Sequence, residues 1–410
     1  MAFDLDVGGH HAGYLQNLVR IWASEERRGR LSLAVSPELL DQHPELVADA
    51  RNADVPVLPV SLPPVASSWL AKAPAELRLA ERALREWRAL CESAVRLSAT
   101  HALSMYMDGL IQTPLALGLR APCRISGIYF RPTFHYGGFS SVERPLRDRL
   151  KAARQRVLAG RALRHPALDV MFCLDPYAVD AMRAGLREGH KARHLADPVA
   201  VHDEPEGTIA ALRRELGLSP EKTVLLLFGM ITPRKGLLEV LEALEHLPPP
   251  VAREVCLLVV GPMAADFRGR VHSAVERARG RTGATILLHE RFVPDLENQR
   301  WFGVADIVLA PYQQHVGMSA ILIRAASAGK PIIADGYGLL GQLTERRRLG
   351  AVVDARDPRA IAHGIERLLR SEGGLVDAEA QGQLARENTP AAFARAMFST
   401  FLPEAAPSSG

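Results

Sequence analysis

The stretch from Thr223 to Gly236, TVLLLFGMITPRKG, constrains the fold more than any other part of the chain. A continuous apolar run ends at a glycine, and Thr-Pro-Arg-Lys-Gly then opens an amphipathic helix expected over Leu237–Leu247. That order is a buried parallel strand, a tight loop and a helix N-terminus. Unpaired backbone N–H groups and the positive end of the helix dipole make such a junction attractive to anions. Arg234 and Lys235 add two cations there, and a diphosphate is a natural guest. Taken alone, the stretch reads equally well as an ordinary strand–helix turn with two solvated basic residues.

Strand-like and helical runs alternate throughout, which predicts α/β architecture with parallel sheets. In the first half the expected strands are 3–7, 31–35, 99–105, 123–129 and 170–174, with a long Ala/Leu/Arg/Glu-rich helix over 74–97. Pro74 suits its first turn, where a missing N–H costs nothing. The pattern breaks at 195–207, where prolines and acidic residues mark a linker. A second series follows, with strands at 223–228, 254–260, 285–289, 307–310, 331–334 and 351–353. Its helices are expected at 237–247, 267–279, 319–328 and 358–370. A ligand should sit beyond the carboxyl ends of these strands. Residues 403–410 read as a frayed tail.

A chain of 410 residues suits two domains rather than one core. With 48% hydrophobic and 23% charged residues, it is globular in composition. A formal charge of +4, without an aromatic-interleaved basic stripe, gives no support to a nucleic-acid partner. Cys91, Cys123, Cys173 and Cys256 lack metal-type spacing and read as free thiols in a reducing, cytoplasmic compartment. Neither a membrane span nor a secretory signal is expected.

The second half resembles the nucleotide-sugar glycosyltransferases of the GT-B fold, closest to family 4, from about residue 223 to 369. Four stretches carry the resemblance. Residues 228–236, FGMITPRKG, look like the loop that holds the donor diphosphate. Residues 291–294, RFVP, including Phe292 and Val293, look like the segment that meets the nucleobase. Residues 302–312, FGVADIVLAPY, look like the strand entering the donor site. Residues 315–331, HVGMSAILIRAASAGKP, look like the loop and helix that normally carry a pair of glutamates. Here the chain departs from the family: Val316 and Arg324 stand at the glutamate positions, and Met230 stands where arginine is frequent.

The resemblance implies two doubly wound Rossmann-like domains facing a cleft. Residues 1–200 would be the acceptor domain, 207–375 the donor domain, and 376–402 a helical segment packing back toward the first. Donor contacts are expected from Gly229, Met230, His315, Gly317, Met318 and Ser319. Gly317 to Ser319 are expected to open a helix with their amides aimed at a phosphate. Arg324 is either a third cation for the ligand or a partner in an ion pair.

In the first half, residues 6–14, DVGGHHAGY, place a glycine-rich loop after the first strand. Gly8 and Gly9 would let the backbone approach a ligand, and at most one of His10 and His11 is expected to be catalytic. Asp108 is expected as a polar contact to the sugar, with a helix N-cap as its rival role. The aromatic loop 129–138 is read as an acceptor-side lid lined by Arg131 and His135. Residues 144–164 form a basic amphipathic helix, either a solvated face or a peripheral membrane contact.

The resemblance therefore implies a retaining, metal-independent glycosyltransferase. It would take a nucleoside diphosphate sugar as co-substrate, need no cofactor and act on an unidentified hydroxyl acceptor. Arg234 and Lys235 would stabilise the leaving diphosphate. Two alternatives remain at this level: a degenerate relative that binds the sugar nucleotide without transfer, and a GT-B sugar-nucleotide epimerase.

Overall fold

A computed structural model of the chain describes residues 1–8, 11–24, 29–62, 73–139, 145–371 and 373–401. Gly9, His10, Arg144 and the expected tail 403–410 lie outside the described residues. The chain divides into two units. One contains Met1–Gly138, residues 145–198 and the described residues from Pro390 to Phe401; the other contains Phe139 and Val199–Thr389.

The first unit is built on a parallel sheet of seven strands. They are β1 (Ala2–Asp4), β2 (Leu33–Val35), β3 (Val57–Pro59), β4 (His101–Ser104), β5 (Arg124–Tyr129), β6 (Leu168–Cys173) and β7 (Ala192–His194). Their order is β3-β2-β1-β4-β5-β6-β7, so the winding reverses between β1 and β4. β3 and β7 are edge strands that the sequence pattern does not announce. Each is three residues long and partly exposed, and Pro59 is tolerated at an edge because no ladder bond needs its missing N–H. The long helix is Ala75–Arg96, with Pro74 as its N-cap rather than in its first turn.

The second unit carries a parallel six-stranded sheet: β8 (Thr223–Phe228), β9 (Val255–Val260), β10 (Thr285–His289), β11 (Ile307–Ala310), β12 (Ile332–Asp335) and β13 (Gly350–Val353). The order β10-β9-β8-β11-β12-β13 puts the reversal between β8 and β11. β8 and β9 read as unbroken apolar runs because helices cover both faces of the sheet. Val224 to Leu227 have no exposed surface. Leu237, Val240, Leu241 and Leu244 pack with Leu225, Leu227, Leu257 and Val259 in one core. A leucine-to-alanine change in such a core costs about 2–5 kcal/mol.

The C-terminal segment splits between the units. The Ala378–Glu387 helix packs on the Ala320–Ser327 helix of the second unit. Only the Pro390–Phe401 helix joins the first, against the His11–Ser24 helix. This corrects the expectation that all of 376–402 packs toward the N-terminal domain. The apolar stripe of Pro390–Phe401 (Phe393, Ala394, Met397 and Phe398) explains the division.

Candidate functional site

In the second unit, the loops after β8 and β11 leave neighbouring strands at the reversal point, where open α/β sheets bind ligands. After Phe228 the chain turns at Gly229 with φ +100°, which favours glycine. A short 3-10 turn, Pro233–Lys235, leads through Gly236 (φ +73°) into the Leu237–Ala243 helix, which continues as a turn over Leu244–His246. A side chain at Gly236 has no room, because its Cβ would lie 2.5 Å from the Pro311 carbonyl oxygen.

The turn aims its two cations differently. Lys235 points inward and is 8% exposed. Its Nζ donates to the Phe228 carbonyl at 3.0 Å and to the Tyr312 hydroxyl at 2.7 Å. Burial, then the neighbouring Arg234 charge, pulls the Lys235 ammonium down to about 7. Arg234 points outward, with Nη1 2.7 Å from His315 Nδ1. Because arginine only donates, Nδ1 accepts and the proton of neutral His315 sits on Nε2. Nε2 lies 3.3 Å from the Met318 carbonyl, which fits that tautomer. The Gln313 amide also donates to the Arg234 carbonyl at 3.0 Å, tying the two loops together.

Gly317 (φ +92°) belongs to this second loop, but Gly317 to Ser319 do not open the helix as expected. The helix is Ala320–Ser327 with Ser319 at its N-cap, so the terminal amides begin at Ala320. Arg324 is 6% exposed, and its guanidinium is committed to the Asp295 carboxylate and to the Ala200 carbonyl. The ion-pair reading is thus the one that the geometry supports, and the third-cation reading fails. Met230, in the loop after β8, and Phe292, after β10, are exposed, while Val293 is buried.

Tyr312, Asp295 and Asp335 were not singled out from sequence. Tyr312 is buried and clamps Lys235. Asp335 closes β12 and accepts from the Ala355 amide at 3.1 Å. An acid at the carboxyl end of a parallel strand is the signal that identifies it.

In the first unit, the carboxyl end of β1 carries a buried pair, with Asp4 Oδ2 2.7 Å from His11 Nδ1. Burial pushes the Asp4 carboxyl up even against the His11 contact. Burial works against a charged His11, but the Asp4 hydrogen bond and charge outweigh it, and the imidazole is raised. Asp6, in the same loop, is held by Arg82 at 2.6 Å, and Arg82 also reaches Glu86 at 2.6 Å. One ligand atom each from Asp4, Asp6 and His11 lie within 4.8 Å of one another, a spacing compatible with a metal ion. Arg82 already supplies positive charge to this cluster, and no metal is assigned to it. Gly8 has open space around its α-carbon.

Asp108 is neither an N-cap nor a free contact. It lies in the turn Met107–Ile111, whose N-cap is Tyr106. Its two carboxylate oxygens accept from the Phe130 and Arg131 amides at 2.7 and 2.8 Å, fixing the loop after β5. Burial pushes this carboxyl up to about 7, although those amides oppose the shift. His135 does not line a lid. Its Nε2 lies 2.9 Å from Asp175 Oδ2, with the two side chains 5% and 0% exposed. Asp175 also caps the Pro176–Gly185 helix through the Tyr177 and Ala178 amides. Arg131 remains exposed at the edge of the loop.

Residues 222–371 match the family described as Glycosyl transferases group 1. The D-inositol 3-phosphate glycosyltransferase of Xylanimonas cellulosilytica is 30% identical over 168 residues, 40% of this chain and 38% of that protein. The lipopolysaccharide 1,2-N-acetylglucosaminetransferase of Salmonella typhimurium is 29% identical over 130 residues, 31% of this chain and 34% of that protein. The matched stretch therefore spans well under half the length of these curated relatives. Among solved structures, HepE of Anabaena in complex with UDP superposes with a TM-score of 0.65 at 15% identity, over 98% of both chains. Sucrose-phosphate synthase of Thermosynechococcus elongatus gives 0.67 at 14% identity, also over 98% of both. At such identities the superpositions speak for the fold alone. Two parallel α/β sheets and these structural neighbours give the chain the GT-B fold, and its residues 222–371 are similar to the family of glycosyl transferases group 1.

Proposed function

We propose that the protein transfers a sugar from a nucleoside diphosphate sugar to a hydroxyl acceptor, with retention at the anomeric carbon and without a catalytic metal. The observation that carries this reading is the paired loop after β8 and β11. Arg234, Lys235 and the start of the Ala320–Ser327 helix lie there at the winding reversal. Developing negative charge on a departing diphosphate would be met by two cations and helix-terminal amides already in place. Lys235, held by the Phe228 carbonyl and the Tyr312 hydroxyl, is preorganised for that charge. HepE has been solved with UDP and with UDP-glucose, so uridine nucleotides are the first donors to test.

On the resemblance, Val316 and Arg324 stand where the family carries its glutamates, which would leave the reading of the ribose hydroxyls to another group. Asp295, with its side chain 61% exposed and held by Arg324, is the carboxylate we assign to that role. The same site would also serve a binder that transfers nothing, or an epimerase; turnover separates the three.

The deciding experiment is a thermal-shift panel against UDP, GDP, ADP, dTDP and their sugars, in EDTA, followed by a transfer assay. A ligand bound only by the native state raises its apparent stability by mass action. A shift with one nucleotide, lost in Arg234→Ala/Lys235→Ala, is expected. Binding without turnover on a broad acceptor panel would leave the binder, and donor consumption with no acceptor would favour the epimerase. Asp295→Asn should weaken the nucleotide while leaving inorganic pyrophosphate unaffected.

A further inference from the structure

At the amino ends of its strands, opposite the Asp4–His11 pair, the first sheet borders a cavity of about 540 Å³. Leu31, just before β2, and Leu103 of β4 supply apolar walls. The His11–Ser24 helix adds Leu18 and Trp22, and the Pro390–Phe401 helix adds Phe398 and Phe401. The aromatic walls brace one another: the Phe398 ring lies 5.4 Å from that of Trp22, and the Phe401 ring 4.3 Å from that of His101. Burial lowers the His101 imidazole to about 4, so it is neutral near pH 7 and brings no charge to the cavity.

The side-chain charge at the opening has one sign. Arg30 and Arg96 line the cavity and are exposed, and no acidic residue lines it among the described residues. No ion pair occupies either guanidinium among those residues. Helix C-termini nearby place partial negative charge there, but the two full charges within reach of the opening are both positive.

We propose that this cavity is a second ligand site, for a small aromatic anion. A flat ring system sits among Trp22, Phe398 and Phe401, and one carboxylate or sulfonate meets Arg30 and Arg96. Aromatic walls favour a flat apolar body through edge and face contacts. Paired guanidiniums favour a planar anionic head. The volume falls in the range of about 300–1,000 Å³ that encloses a drug-sized molecule. The site lies in the other unit from Arg234 and Lys235, so it is separate from the proposed donor site.

The test is calorimetric titration of the full chain with three probes of one shape: anionic naphthoate, neutral naphthamide and cationic naphthylmethylamine. Naphthoate should bind one-to-one, about tenfold or more tighter than the other two, and less tightly at high salt. Arg30→Glu/Arg96→Glu should weaken naphthoate about tenfold or more and remove its advantage over naphthamide. Thr100→Trp, at an exposed lining position, should block all three by filling the cavity. Circular dichroism checks that both variants fold. Arg234→Ala/Lys235→Ala should leave naphthoate binding unchanged. Bound naphthoate should also slow hydrogen exchange over 11–24 and 390–401, the helices that wall the cavity. No saturable binding, equal affinity for the three probes, or indifference to both cavity variants would overturn the proposal. So would loss of naphthoate binding in Arg234→Ala/Lys235→Ala, which would move it to the donor site.

Discussion

Lys235 shows most directly what burial does to a single group. Its ammonium is 8% exposed, and its ordinary value of 10.5 falls to about 7. Between those values the unfolded chain holds more protons than the native one, so Lys235 makes the unliganded protein more stable as pH rises across that window. A bound diphosphate favours the charged form and raises the value again. Nucleotide binding above pH 7 therefore takes up a proton, and affinity should fall by up to about tenfold per pH unit. Calorimetric titration in buffers of different ionisation enthalpy measures that proton directly. Lys235→Met should bind weakly at every pH and lose the proton uptake; an unchanged uptake would assign the proton to another group. The Asp4–His11 pair works in the opposite sense. His11 is raised above 6.5, so its contribution to stability is full below that value and is lost as pH rises through the native one. Asp4→Asn should lower the His11 value, read from its imidazole resonances, because the hydrogen bond and charge that hold it up are both gone.

The loops, more than the strands, decide where these residues point. Gly236 and Gly229 both adopt positive φ, yet they should respond differently to alanine. At Gly236 the added carbon meets the Pro311 carbonyl at 2.5 Å, a backbone atom that cannot step aside. Gly236→Ala should cost about 1–3 kcal/mol by overpacking, besides its strained φ. At Gly229 the carbon meets the end of the Lys235 side chain, with Nζ 3.3 Å away, rather than backbone. Gly229→Ala should cost less stability and more nucleotide affinity, because it shifts the ammonium. Denaturant melts and nucleotide titrations of the two variants test the contrast. The strands themselves were legible: Thr223–Phe228, Thr285–His289 and Ile307–Ala310 fall at the expected bounds, because buried parallel strands are apolar runs. Arg234 and Lys235 were legible as cations at a helix entry. Which of the two turns inward was not, because that depends on Tyr312, far along the chain. Asp108 and His135 were misread for the same reason. Their partners are the amides of Phe130 and Arg131 and the side chain of Asp175, and spacing along the sequence does not reveal them.

At the scale of the whole molecule, the chain leaves the second unit at Thr389 and gives its last helix to the first. Phe393 is fully buried there, with its ring 5.0 Å from that of Tyr14, and Phe398 lies 5.4 Å from Trp22. Tyr14 in turn donates to Asp197, where the chain is about to leave the unit. The His11–Ser24 helix, which begins with the Asp4-bound histidine, is thus packed by residues from the far end of the sequence. Phe393→Ala should cost about 3–5 kcal/mol, as expected for an aromatic residue removed from a core. The loss should register in the first unit. Hydrogen exchange is the measurement, because it reads opening segment by segment. Protection should fall over 11–24 and in β1, while β8 and β9, whose core contains no residue of the C-terminal helix, keep theirs. Uniform loss across both sheets would mean that the chain opens as one cooperative body. Loss confined to 390–401 would mean that the helix frays without supporting the helix beneath it.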